Sequence, residues 1–198
     1  MEERGKHNGA TKGLVVTISG PHGTGKSTYA KALADALRLR YVSAGKLFRE
    51  LAKQQNMSLE AFSRLAAEDP ATDRMLDERT KAEARKGGVV IDAQLAAWMA
   101  KELADVRVLL TAPDDVRFRR IAERDGTDVD AAREETLSRE TIQAQRYKKY
   151  YGIDVTDTAI YDLKIDTSSL SIEQTTTSVI EVVRDFLLKK GKLNGPTN

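Results

Sequence analysis

The sequence predicts an α/β fold, a five-stranded parallel sheet held between helices in a three-layer sandwich. Two observations lead there. Short apolar, β-branched runs recur along the chain, and long segments of helical periodicity separate them. That alternation requires crossover connections, and therefore parallel strands covered on both faces. At 198 residues the chain is long enough for one well-buried core and short for two. A single domain over 13–188 is expected, with 1–12 and 189–198 as flexible tails.

The elements follow in order. Leu14-Val15-Val16-Thr17-Ile18 reads as a buried strand broken at Ser19-Gly20. From Lys26 to Leu37, Ala30, Leu33, Ala34 and Leu37 recur at i, i+3, i+4 and i+7, which is a helix with one buried stripe. Tyr41-Val42 is the second strand and Val89-Val90-Ile91 the third. Between them, 46–86 is helical nearly throughout, with Pro70 starting a helix after Asp69. Val106 to Leu110 is the fourth strand, and Leu163 to Ile165 a weaker fifth. The segment between those two, Pro113 to Tyr151, is again helical, with a break near Asp125-Gly126-Thr127-Asp128. Both helical regions exceed what a crossover needs, so 44–86 and 125–152 are expected to be moving insertions over the carboxyl edge of the sheet.

Composition narrows the function. With 40% hydrophobic and 31% charged residues, the chain is neither disordered nor membrane-embedded in character. No apolar stretch approaches the roughly 20 residues of a membrane span, and Met1 to Lys12 is polar, so a cytoplasmic protein without a membrane partner is expected. The absence of cysteine excludes disulfides, thiolate zinc sites and thiol catalysis, and two histidines leave little for a histidine metal centre. A net charge of +2 attracts nucleic acid only weakly, so none is expected as a partner. Nothing obliges a dimer, and a monomer is expected.

Gly20-Pro21-His22-Gly23-Thr24-Gly25-Lys26-Ser27 matches G-x-x-x-x-G-K-[ST] between a strand and a helix, the context such a loop requires. Its glycines let successive backbone N–H groups turn around a phosphate, the helix dipole adds positive charge, Lys26 brings a full one, and Ser27 is a ligand for Mg²⁺. The fold is therefore of the P-loop NTPase type. ATP is the expected polyphosphate, held by Gly20 through Ser27 and by Thr28. His22, at a variable position of the loop, reads as a solvated filler. Asp92 ends the third strand at the carboxyl edge, either holding Mg²⁺ through water and orienting Lys26, or capping the next helix. Arg120 and Arg124 share one helical face, as do Arg139 and Arg146, and such faces converge on phosphates. Trp98 with Met99 reads as core packing.

Further segments carry a resemblance: Ser43-Ala44-Gly45-Lys46-Leu47-Phe48-Arg49-Glu50, Asp92 to Trp98, Arg120 to Gly126, Arg146 to Asp154 and Ile165 to Gln174. In that order, with the phosphate loop, the chain resembles the nucleoside-monophosphate kinases, specifically the archaeal type of cytidylate kinase, from about Leu14 to Phe186. The resemblance implies an acceptor-binding insertion and a lid, and transfer of a phosphoryl group from ATP with Mg²⁺ to CMP or dCMP. It implies that Ser43 and Gly45 admit the acceptor nucleotide, that Arg49 grips its monophosphate, and that Asp92 and Gln94 line the acceptor side. It assigns Arg120 to packing on the ATP base, and Arg124, Arg139 and Arg146 to phosphate contacts and charge neutralisation.

The chain departs from the wider pattern at Lys46, where adenylate kinases usually carry Asp, and at Gln94, where many relatives carry Arg. Lys46 is a candidate to restore the lost positive charge. Two other functions stay open at this point, an adenylate or other small-molecule kinase and a P-loop ATPase or switch whose arginine-rich helices bind RNA. Arg49 has an alternative too, as a surface residue paired with Glu50.

Overall fold

The computed structural model describes residues 13–193. Its strands are β1 (Val15–Ser19), β2 (Arg40–Ser43), β3 (Val89–Asp92), β4 (Val106–Thr111) and β5 (Leu163–Asp166). All pair in parallel, in the order β2-β3-β1-β4-β5. The order runs outward from β1 in both directions, so the crevice over its carboxyl end is where open sheets of this kind take ligands. In the β1–β3 register Ile18 lies beside Asp92, and in the β2–β3 register Ser43 lies on the other side of Asp92.

Alternation along β1 sends its side chains to opposite faces. Val16 and Ile18 pack with Leu33 of α1 (Lys26–Leu37) and with Val179, Val183 and Leu187 of α8 (Ile172–Lys189). Val15, with Val89 and Ile91, packs on the other face against Ala84 of α4 (Ala71–Lys86) and Ala96 and Ala100 of α5 (Ala96–Ala100). The predicted three-layer sandwich and all five strands are found.

The two helical insertions form separate small cores. The first contains α2 (Ala44–Gln54), α3 (Leu59–Glu68) and α4, and Ser43 and Ser58 cap the first two by accepting from the Lys46 and Ala61 amides. Pro70 immediately precedes α4, as its fixed φ favours, and Asp69 accepts from the Ala71 amide at 2.9 Å. Phe48, Ala52, Phe62, Ala66 and Leu76 bury one another there, with the two phenyl rings 4.8 Å apart. The second consists of α6 (Asp114–Asp125) and α7 (Val129–Tyr151), joined where the sequence predicts: Gly126 adopts φ 66° and Asp128 caps α7. Ile121, Ala122 and Ala132 close that joint.

Of the expected flexible end, residues 189–193 are described: Lys192 pairs with Asp105 at 2.8 Å and Leu193 packs against the core. The expected tail 1–12 and residues 194–198 lie outside the described residues. Among those described, no helix is long and apolar enough to cross a membrane.

Leu33 is fully buried between α1 and the sheet. Leu33→Ala is expected to cost about 2–5 kcal/mol, the transfer term plus the cavity left behind. Urea unfolding of the variant checks this, and a loss below about 1 kcal/mol contradicts the packing.

Candidate active site

β1 delivers the chain into a loop whose backbone has no room for side chains. A Cβ on Gly20 would stand 2.2 Å from the Leu110 carbonyl oxygen, and one on Gly23 would stand 2.6 Å from the Arg117 carbonyl oxygen at φ +80°. Thr24 is buried and its hydroxyl donates to the Pro21 carbonyl at 2.9 Å, bracing the turn from within. α1 starts with no acidic residue in its first turn, so its free N–H groups and positive dipole end face the loop undiminished. Lys26 curls back and donates from Nζ to the Pro21 carbonyl at 2.8 Å. Burial lowers its ammonium from the ordinary lysine range, against the pull of the Asp92 and Glu140 carboxylates.

The loop opens on a cleft of about 1030 Å³. Of the loop, His22, Gly23, Gly25, Lys26, Ser27 and Thr28 line it; Gly20, Pro21 and Thr24 shape it from behind. Three hydroxyls converge on one oxygen of the buried Asp92. Ser27, Tyr41 and Ser43 all donate to Oδ2, at 2.6, 3.0 and 3.0 Å. Ser43 is thus spent on Asp92 and on capping α2 and does not line the cleft, whereas Gly45, Arg49, Asp92 and Gln94 do. The alternative pairing of Arg49 with Glu50 is not found: Glu50 is 3.8 Å from Lys46, one turn before it, and Arg49 faces the cleft. Lys46, the candidate to restore positive charge there, is exposed, pairs with Glu50 and is not among the residues lining the cleft.

The arginines divide. Arg124 and Arg139 line the cleft, the first paired with its neighbour Asp125 at 2.6 Å and the second loosely with Glu135 at 3.8 Å. Arg120 also lines the cleft, donating to the Thr167 hydroxyl at 3.0 Å and carbonyl at 2.6 Å, and Thr167 in turn donates to the Thr24 carbonyl. Ile172 is exposed and lines the same end of the cleft.

Arg146, expected at a phosphate, lines the cleft as well, and its head group is held within the protein. Its Nε lies 2.6 Å from Asp73 Oδ2 and its Nη1 donates to the Ser63 carbonyl at 3.2 Å, with both residues almost fully buried. The cause is the inner face of α4. Burial pushes the Asp73 carboxyl up to about 6 despite Arg146, and a carboxylate placed there needs a cation beside it.

His22 is not a solvated filler. Its backbone amide donates to Glu140 Oε1 at 2.9 Å, and its Nδ1 lies 3.1 Å from the same oxygen. A carboxylate only accepts, so the proton of the neutral ring is on Nδ1. Arg117, buried on α6, donates to the His22 carbonyl and to Glu140, each at 2.8 Å. Burial pulls His22 down to about 4. Burial alone would raise Glu140, but the hydrogen bonds from His22 and Arg117 outweigh it and bring the carboxyl to about 2. The middle of α7 is thereby fastened to the phosphate loop.

The model of the cytidylate kinase-like family matches residues 15–169, from β1 through the Arg120 partner Thr167. The chain belongs to that family. A cytidylate kinase from Staphylothermus marinus is 47% identical over 174 residues, covering 88% of this chain and 98% of its own length. One from Aeropyrum pernix is 52% identical over 167 residues, covering 84% and 97%. Among solved structures, a shikimate kinase from Bacteroides thetaiotaomicron has a TM-score of 0.58 at 16% identity, covering 88% of this chain and 98% of its own. A gluconokinase from Sinorhizobium meliloti also scores 0.58, at 12% identity, covering 90% and 98%. At such identities these two likenesses show the fold alone, that of P-loop kinases.

Within this cytidylate kinase-like chain, Arg117, Glu140, Asp73 and Thr167 are site residues that the sequence reading passed over. Arg117 lies three residues before Arg120 and Glu140 directly follows Arg139, so each was signalled only as one charge among many on a charged helix.

His22 and Glu140 act on stability in the same direction. The unfolded chain protonates His22 near pH 6.5 and Glu140 near 4.5, while the folded state holds them to about 4 and about 2. At these two groups the unfolded state therefore binds more protons, and the stability they contribute falls as pH drops from about 6.5 toward 2, while the raised Asp73 carboxyl acts in the opposite sense below about 6. Between about pH 7.5 and pH 5 the urea midpoint is expected to drop less in His22→Gln than in the unchanged protein. An equal drop in that variant contradicts the assignment.

Proposed function

We propose that the protein transfers the γ-phosphoryl group of ATP to CMP or dCMP, giving ADP and CDP or dCDP. One observation carries this. The phosphate loop, Arg49 from the acceptor-side insertion, and Arg124 and Arg139 from the lid helices all face a single cleft at the carboxyl edge of the sheet. The cytidylate kinase names of relatives 47% and 52% identical along nearly their whole lengths supply the acceptor.

In this function the loop amides and Lys26 hold the β- and γ-phosphates, with the Lys26 Nζ exchanging its Pro21 carbonyl for phosphate oxygen. Arg120 and Ile172 flank the ATP base. Arg49 grips the acceptor monophosphate in two places and fixes the attacking oxygen, as a planar guanidinium does better than an ammonium. That oxygen is already anionic at neutral pH, so no general base is needed. It forms a bond to the γ-phosphorus as the bond from that phosphorus to the bridging β-oxygen breaks, and the electron pair leaves with ADP. Arg124 and Arg139 neutralise the charge spread over the transferring group and, with the lid drawn over, exclude water.

The donor set fits Mg²⁺. The Ser27 hydroxyl is exposed in the loop and backed by the Asp92 carboxylate at 2.6 Å, and the described residues contain no cluster of three acidic or histidine side chains to hold an ion independently of nucleotide. Ser27 would ligate the ion and Asp92 would hold it through water; when bound, it screens the phosphate oxygens and orients the polyphosphate. We further propose that the protein acts as a cytoplasmic monomer on free nucleotides, without membrane or nucleic acid.

Lys26→Ala is expected to lower kcat by at least a hundred-fold, roughly the cost of removing one transition-state donor, with the unfolding midpoint little changed. Coupled measurement of ADP release with CMP as acceptor checks both, and near-normal turnover in a folded variant would sink the assignment.

A further inference from the structure

Glu140, midway along α7, is the point where the phosphate loop and both lid helices meet. Three donors converge on one of its oxygens. The His22 amide, the His22 Nδ1–H and Arg117 Nη1 reach Oε1 at 2.9, 3.1 and 2.8 Å, while Arg117 Nη2 lies 3.3 Å from Oε2. Arg117 is itself buried on α6, and its Nη1 also donates to the His22 carbonyl. Glu140 is not among the residues lining the cleft, so whatever it does for the reaction it does through a neighbour.

The adjacent residue is Arg139, which does line the cleft, and nothing at its own head group fixes it. The side chain is only 13% exposed, and Glu135, with which it pairs, is 3.8 Å away. Its Nε is closed off from solvent with no hydrogen-bond partner among the described residues. Burial disfavours its charge, and Glu135 only partly offsets burial and the neighbouring charges of Arg124 and Arg49. A guanidinium crowded by like charges and loosely paired takes its place from its backbone. That backbone is set against the loop by Glu140, one residue on. Misplacing a reacting group by about 1 Å can cost roughly a hundred-fold in rate, so the length of this attachment bears directly on turnover.

We propose, building on the reaction assigned above, that Glu140 is a positioning residue for phosphoryl transfer. Its reach to the His22 amide and to Arg117 fixes the spacing between α7 and the phosphate loop, and so holds Arg139 over the group being transferred. The reach of the side chain matters here more than its charge, because the three shortest bonds all end on a single oxygen.

The test measures kcat, and KM for ATP and CMP, with Mg²⁺, in two variants that separate reach from charge. Glu140→Gln keeps the length and an Oε1 acceptor and loses the charge, whereas Glu140→Asp keeps the charge and is one methylene shorter. Glu140→Asp is expected to lower kcat by about 10- to 100-fold with each KM changed by less than about three-fold, as when an interaction made only in the transition state is lost. Glu140→Gln is expected to stay nearer the unchanged protein. In an Arg139→Ala background, Glu140→Asp is expected to lower kcat by less than about two-fold more, because the group it acts through is gone. A merely structural carboxylate would lower the urea midpoint and leave kcat of the folded enzyme alone. That result overturns the inference, as does a Gln variant no better than the Asp variant, or a loss of equal size with and without Arg139. Should Glu140→Asp fail to fold, Arg117→Lys takes its place, since one ammonium cannot reproduce the planar fork that spans the Glu140 carboxylate and the His22 carbonyl. The same loss in kcat is expected there, and an unaltered kcat overturns the inference. Absence of CMP turnover in the unchanged protein overturns the reaction and this inference together, whereas CMP turnover with an unaltered kcat in Glu140→Asp overturns the inference alone.

Discussion

The cleft depends on the parallel register of β1 against β3. Pairing Ile18 with Asp92, while β2 brings Ser43 to the other side, sets a carboxylate at the mouth of the sheet with three hydroxyls converging on one of its oxygens. A shift by one residue would turn Asp92 to the other face and leave Ser27 without it. The same register carries Val15, Val89 and Ile91 into one core and Val16 and Ile18 into the other. Hydrophobic burial thus enforces the alignment that the polar site requires, and the phosphate loop needs no further support at its start than the clash-free glycine backbone against Leu110.

The two insertions are coupled to this centre through α7. Glu140, midway along it, is fastened to the loop through His22 and Arg117, and Arg146 and Tyr150, near its end, are fastened to α3 and α4 through Asp73, the Ser63 carbonyl and the Ala67 carbonyl. Breaking a buried pair by removing one partner typically costs about 3–5 kcal/mol, so these are firm attachments. The lid arginines Arg124 and Arg139, by contrast, are held only by an adjacent aspartate and a distant glutamate. Rigid anchors at Glu140 and Arg146 with the loosely held cations Arg124 and Arg139 before them suit a lid that presents charge to a ligand and keeps its own place.

What the sequence made legible was whatever short-range pattern determines. Five strands, the helix after the loop, the start of α4 at Pro70 and the break at Gly126 all follow from periodicity and turn chemistry, and Arg49 and Asp92 follow from position after a strand. Trp98 is half-buried and meets Tyr161 edge-on at 5.5 Å, whereas Met99, read with it as core packing, lines the cleft. The rest depends on which face of a charged helix meets which neighbour. In α4, ATDRMLDERTKAEARK, charge is spread around the helix, and only the docking of α7 against α3 and α4 reveals that Asp73 and Asp77 face inward. The partners of Arg146 and His22 were hidden for the same reason, since Asp73 and Glu140 are 73 and 118 residues away.

The most direct test of the central claim is ADP formation from ATP and Mg²⁺ with CMP, dCMP, UMP, AMP and GMP offered separately, beside a control without acceptor. The account predicts rapid turnover with CMP or dCMP and almost none in the control. ADP formation at the same rate without any acceptor would contradict it, because the arginines and the acceptor-side insertion would then have no phosphoryl acceptor to serve.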